Sequence, residues 1–331
     1  MGADLVFVIM TAILDEPLVS VVVVNYNGRH LLEDCFRSLT QQTYGNYEII
    51  LVDNGSKDDS TSFVKEHYPK VNIVQLSSNT GFAGGTNAGI KEAKGEYILT
   101  LNNDTCVFSD FIEKLIQPML QGPAVGMCSS KMISPDKKIN STGICLSRSG
   151  AAWDRGGFEQ DTGQYDHEEE VFGPCAGAAL YRKTMLDEIG IFDEDFFLFM
   201  EDVDLAFRAR LAGWKCIYTH EARVIHKHGG TASAGSDIAI YYGNRNILWY
   251  VVKNFPLWTL MISSPWIIGR NCGVIPYYLL QGKHRVILKA KIDAIKGLHI
   301  MAGKRKTIKK SVADGEINRW VQTWSCVPAL K

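Results

Sequence analysis

Four times within the first 104 residues, a short aliphatic run stops at a cluster of Asn, Asp, Gly or Ser, and the first three of these runs give way to a helical pattern. Val19 to Val24 stops at Asn25-Tyr26-Asn27-Gly28, and Leu31, Leu32, Cys35, Phe36 and Leu39 then recur at helical spacing. Glu48 to Val52 stops at Asp53-Asn54-Gly55-Ser56, before a helix from about Thr61 to His67. Asn72 to Leu76 stops at Ser77-Ser78-Asn79, and a Gly-rich turn leads into a helix through Lys94. Glu96 to Leu101 stops at Asn102-Asn103-Asp104. Continuous apolar runs are strands buried on both faces. Their alternation with helices predicts an α/β domain with a mostly parallel, Rossmann-like sheet and helices on both faces. Ligands of such sheets sit beyond the carboxyl ends of the strands, where all four polar clusters fall.

The pattern loosens between Val125 and Tyr181 into short strands and Gly-rich turns. Helix returns over Glu201 to Leu211, followed by strands at Lys215 to Tyr218 and Ala222 to His226. Beyond Tyr241 the composition changes, and Asn246 to Gly282 is rich in aromatic and aliphatic residues. This places a leader at 1–18, the α/β domain at 19–245 and a helical extension at 246–331. The longest uncharged stretch there, Asn254 to Gly269, has 16 residues, fewer than the roughly 20 a spanning helix needs. Kinked or interfacial helices are expected instead. The apolar run Leu5 to Leu14 is also too short to span and follows Asp4, not a basic segment.

The hydrophobic content, 46%, excludes a disordered chain. Eight cysteines lie far apart without structural-zinc spacing, which fits a reducing compartment. The net charge of −1 hides an asymmetry: Gly282 to Lys310 carries 10 Lys or Arg against Asp293 alone, leaving about −10 on the rest. No nucleic-acid recognition motif accompanies that basic stretch.

Asp53, at a strand end, is placed to accept hydrogen bonds from a ribose or base; an Asx turn closing the strand accounts for the same residues. Asn79 through Gly89 is glycine-dense, as a phosphate- or sugar-approaching loop is, but matches neither G-x-G-x-x-G nor a P-loop. A flexible turn and helix start is the other reading. Asn102-Asn103-Asp104 offers a carboxylate beside amide oxygens, suited to a hard divalent cation that also bridges phosphates, or again to an Asx turn. Glu201, Asp202 and Asp204 crowd the first turn of one helix. They either complement its dipole, with Asp204 pairing to Arg208, or supply a base opening from the apolar wall Ile191 to Met200. His226 and His228 fall on one strand face, as metal ligands or as ordinary surface histidines.

Taken in order, VVVVNYN, VDNGS, NTGFAGGTNAG, LTLNND, FFLFMEDVDLAFRARLAGW and ARVIHKHGGT resemble the GT-A-fold glycosyltransferases of family two, in particular their rhamnosyltransferase-like branch. The resemblance spans about Val19 to Tyr250. It implies transfer of a sugar from a nucleotide-diphosphate donor to a hydroxyl with inversion, dTDP-rhamnose being the first candidate donor. Matched to that family, Asn25, Tyr26 and Asp53 would hold the base and ribose, and Asn79 with a Gly84-Gly85 turn would line the nucleotide. Asn103 belongs to the same donor side, and Gly177 would pack near the donor sugar. Asp104 and His226 would hold Mg²⁺ or Mn²⁺, and Asp202 would be the base, with Glu201 beside it. The triplet is N-N-D, with one carboxylate where the strict pattern has two, which implies weak metal affinity.

The expected partners are the sugar nucleotide and a glycan or lipid-linked acceptor of cell-surface polysaccharide synthesis. An apolar, Pro-broken segment before a +9 stretch also suits an anionic membrane surface met through 246–310, at the cytoplasmic face. The other uses of that extension are packing on the catalytic core or against a second copy of the chain. Two further functions share such a sheet: sugar nucleotidyl transfer, for which no basic Gly-rich signature follows the first strand, and a nucleotide- or glycan-binding protein without catalysis.

Overall fold

A computed structural model describes residues 16–227 and 235–322; most of the leader, His228 and Cys326 lie outside the described residues. The first half follows the alternation: β1 (Val19–Asn25), α1 (Arg29–Leu39), β2 (Tyr47–Asp53), α2 (Ser60–His67), β3 (Asn72–Gln75), α3 (Gly81–Glu92) and β4 (Tyr97–Asn102). Next come β5 (Thr105–Val107), α4 (Phe111–Gln121), β6 (Val125–Ile133), β7 (Ile139–Ser141), β8 (Ile144–Ser147), β9 (Ala152–Asp154), β10 (Glu169–Val171) and β11 (Ala178–Arg182). After α5 (Lys183–Ile189) the chain forms α6 (Glu201–Leu211) and β12 (Lys215–His226). It ends in α7 (Asp237–Asn254), α8 (Leu257–Leu280), α9 (His284–Arg305), α10 (Asp314–Asn318) and β13 (Val321–Gln322).

The main sheet runs β10-β12-β6-β11-β4-β1-β2-β3. Strands β4, β1, β2 and β3 are parallel neighbours. The sheet is mixed beyond them, because β11 is antiparallel to both β4 and β6. On β1, Val19, Val21 and Val23 face a core formed with α1 and α4, whereas Val22 faces the one formed with α3 and α6. That period-two split is why the strand is valine at nearly every position. Register sets Asn25 opposite Asp53 and Val24 opposite Asn102, which lines up the polar strand ends along one rim.

The two strands expected between Lys215 and His226 are one, β12, whose register against β6 shifts between Thr219 and Arg223. A bulge of that kind breaks the alternation a sequence shows without ending the strand. The composition change at Asn246 likewise falls inside α7, so 245/246 does not separate structural units. Lys253 on α7 bonds Asp204 (2.8 Å) and Asp193 (2.7 Å), and Lys304 on α9 reaches Asp193 too. Burial opposes ionisation of Asp193, yet the two ammonium groups hold its carboxyl down at about 2. A second sheet, β13-β8-β9, ties residues 321–322 to the segment between β7 and β10. Among the described residues no helix is long and apolar enough to cross a membrane.

Candidate active site

Asn25, fully buried at the end of β1, accepts a hydrogen bond from Asn103 Nδ2 (2.7 Å) and donates one to Ser56 Oγ (3.3 Å). Gly28 makes that junction possible, since a side chain there would run into Asn103 Nδ2. Tyr26 follows, half-buried. Asp53, 4% exposed, keeps an Oδ1 without a protein partner. A buried carboxylate oxygen left open at a strand end fits a ligand hydroxyl or amino donor. These residues form one continuous rim.

Asn79 works differently from the expectation. Its side-chain oxygen accepts from Gly81 N (2.9 Å) and Asn54 Nδ2 (3.1 Å), so it holds the entry to α3. The expected Gly84-Gly85 turn is not a turn: both glycines lie within α3. A Cβ on Gly85 would sit 2.7 Å from Val24 Cγ1, so that glycine serves close packing of helix on strand. Glycine density was a packing signal there.

Asp104, 5% exposed, lies 3.2 Å from His226 Nε2. The pairing of β5 with β12, His226 opposite Thr105, brings together residues 122 positions apart. No group of three or more His, Cys, Asp or Glu poised to hold a metal occurs among the described residues. Asp104 and His226 are two adjacent donors of types a divalent cation accepts, and any such ion would need further ligands from outside this pair.

Beside this pair opens a cleft of about 250 Å³, lined by Asn102, Gly177, Trp153, Asp154, Glu201 and Asp202 among others. Gly177 accepts from Asn102 N (2.9 Å), and a Cβ on it would come 3.0 Å from Asn102 Nδ2. At the start of α6, Asp202 accepts from Val203 N (2.8 Å) and Ala176 N (3.3 Å). Glu201 Oε2 is buried without a partner. Burial raises both carboxyls, and the Asp202 charge pushes Glu201 further. More backbone N–H groups favour the anion at Asp202 than at Glu201, so ionisation is easier at Asp202. Asp204, by contrast, is fully buried and bonded to Arg208 (2.9 Å), Lys253 and Asn254. Burial alone would raise its carboxyl, but Lys253 and Arg208 hold it down, and its role is structural.

Sequence reasoning missed the residues that hold α6 in place. Phe197, Phe199 and Met200 have φ of 64°, 66° and 69°, unfavourable for non-glycine side chains. Asn246 Nδ2 lies within hydrogen-bonding distance of three carbonyls in this loop, Phe196 (2.9 Å), Leu198 (2.9 Å) and Phe199 (2.7 Å), while Arg245 Nη2 donates to Asp195 O (2.8 Å). An amide and a guanidinium adjacent on an apolar helix were the available signal. Asp154 was missed as well. It opens onto the cleft from β9 with its side chain exposed to solvent, and the Asp202 charge opposes its ionisation while His226 favours it.

The family model described as glycosyl transferase family 2 matches residues 20–190, from β1 through α5. The chain belongs to glycosyl transferase family 2. The match contains the whole strand-end rim and ends before Glu201, Asp202 and His226. Among relatives of this glycosyltransferase is the N-acetylglucosaminyl-diphospho-decaprenol L-rhamnosyltransferase of Mycobacterium tuberculosis, 23% identical over 84% of this chain and 98% of that protein. Of solved structures, the mannosyltransferase PcManGT from Pyrobaculum calidifontis, in complex with GDP-Man and Mn²⁺, superposes with a TM-score of 0.56 at 15% identity. It covers 85% of this chain and 88% of its own. GalNAc-T7 with UDP, GalNAc and Mn²⁺ gives 0.61 at 16% identity, over 88% of this chain and 58% of that one. The fold is the GT-A arrangement with a C-terminal helical extension.

Proposed function

We propose that this glycosyltransferase moves a sugar, with inversion, from a nucleotide-diphosphate donor to a hydroxyl of a lipid-linked glycan acceptor at the cytoplasmic face of the cell membrane, in cell-surface polysaccharide synthesis. dTDP-rhamnose is the first candidate donor, in keeping with the mycobacterial relative. The observation that carries the reading is the cleft itself, which sets Asp202 and Glu201 facing Asn102 and Gly177, next to Asp104 and His226.

Asn25, Tyr26, Asp53 and Asn103 hold the nucleoside end, with Asn79 fixing the helix entry beside them. Asp104 and His226 hold the divalent cation, which supplies electrostatic stabilisation of the departing diphosphate when bound. Asp202 takes the proton from the acceptor hydroxyl as that oxygen bonds to the anomeric carbon. The bond from the anomeric carbon to the diphosphate breaks, and the nucleoside diphosphate leaves with its electron pair. Burial and the Asp202 charge push the Glu201 carboxyl up, which favours Asp202 as the anion of the pair.

Calorimetric titration with dTDP, UDP and GDP, each with and without Mn²⁺, tests the donor side. Metal-dependent binding of one nucleotide supports the reading. No binding of any of them points to a member of the family without catalysis.

A further inference from the structure

Helix α8 has its polarity reversed. Its buried positions include Thr259, fully buried and bonded to Asn318 (2.7 Å), and Ser263, also fully buried. Inward-turned Asn271 accepts from buried Lys291 Nζ (2.6 Å). Its only charge, Arg270, is mostly buried, and that burial lowers the guanidinium's proton affinity. The solvent side is apolar along the helix: Leu257 (68% exposed), Trp258 (58%), Met261 (66%), Trp266, Ile268 (61%) and Leu280 (91%). An outward face of this kind on a water-soluble helix marks an interaction surface. The 24 residues make it about 36 Å long.

We propose that the outer face of α8 is an in-plane membrane anchor that seats in the headgroup region of an anionic bilayer. The proposal rests on the lipid-linked acceptor reading and names the surface by which the enzyme meets it. Charge selects the occupant. Gly282 to Lys310, directly after α8, carries a net +9 in sequence; Lys283, Lys289, Lys304, Lys309 and Lys310 pair with carboxylates and Lys291 is buried, so the cations turned to solvent outside those pairs are Arg285, Lys296 and Lys306. Anionic lipid complements that charge, at roughly 1 kcal/mol per cation near the surface, whereas a second copy would bring like charge against like. Trp258 and Trp266 are the aromatic type that favours an interface, with an apolar body and a polar tip. The anchor is joined rigidly to the cleft. Helix α7 leads into α8 from Asn246, the residue at the carbonyls before Glu201, and Lys253 ties the same helix to Asp204.

The test is sedimentation of the full chain with vesicles of phosphatidylglycerol and phosphatidylcholine, compared with phosphatidylcholine alone. The protein is expected to bind the anionic vesicles, and the triple variant W258E/M261E/I268E to bind about tenfold less or weaker still. In the unaltered protein, brominated lipid is expected to quench tryptophan fluorescence, which decides the matter even if the variant fails to fold. Indifference to anionic vesicles overturns the proposal, as does binding with no quenching or equal binding by a folded variant. A vesicle-independent dimer that the variant dissolves overturns it too, because the face then belongs to a second copy. Nucleotide titration without vesicles reports separately on the transferase reading: vesicle binding without nucleotide binding would sink that reading and leave the anchor standing.

Discussion

In the proposed reading the cleft has a donor half and an acceptor half, and the two are built on different principles. On the donor side, β1, β2 and β4 end in register, and polar residues at strand ends are close to one another because hydrogen-bonded parallel strands put them there. On the acceptor side, Glu201 and Asp202 follow a loop with three left-handed non-glycine residues, held by Asn246 from about fifty positions away. One half is a consequence of strand geometry; the other is strained backbone held by long-range side-chain bonds. Nucleotide binding should therefore tolerate damage to the second half that abolishes transfer.

The largest break in that comparison is Asp202→Asn, expected to lower turnover by about 10²–10⁴-fold, the usual worth of a positioned base. Steady-state transfer or donor hydrolysis measures it. Asn246→Ala comes next. Leaving loop carbonyls without their donor should destabilise the protein by about 2–3 kcal/mol, read by urea denaturation, and reduce transfer more than nucleotide affinity. Asp104→Ala should abolish the increase in nucleotide affinity that Mn²⁺ gives while leaving metal-free affinity nearly unchanged; a titration unaffected by the substitution contradicts its role as a ligand.

The smallest expected effect is electrostatic. Asp154, across the cleft from Asp202, makes proton loss from Asp202 harder while it is ionised, because the two carboxylates repel. Asp154→Asn removes that charge, so the acidic limb of the pH–rate profile should move down by about half a unit. The variant would then gain activity at pH 6 relative to pH 8. A limb that stays in place, or moves up, removes Asp154 from the electrostatics of the cleft.

This division also decided what the sequence disclosed. Helix α6 spans Glu201 to Leu211, as the sequence predicts, and the four strand-end clusters are legible because period-two burial and turn residues are local signals. Asp104 and His226 share a site only through the β5–β12 ladder, which no local pattern encodes. Asp154 sits on a three-residue strand, too short for alternation to show. Asn246 lies where the composition changes, a signal for the start of an extension, whereas α7 belongs as much to the cleft as to the tail. The Gly84-Gly85 pair misled for a different reason: close helix–strand packing and ligand approach call for the same residue, and at Gly85 the contact is Val24.

The most direct test pairs two readings on one variant: nucleotide affinity by calorimetry with Mn²⁺ and transfer to acceptor, both for Asp202→Asn against the unaltered protein. Separate halves predict affinity within about twofold while turnover falls a hundredfold or more. Loss of nucleotide binding in step with turnover, or turnover that survives, would contradict the assignment of chemistry to the second half.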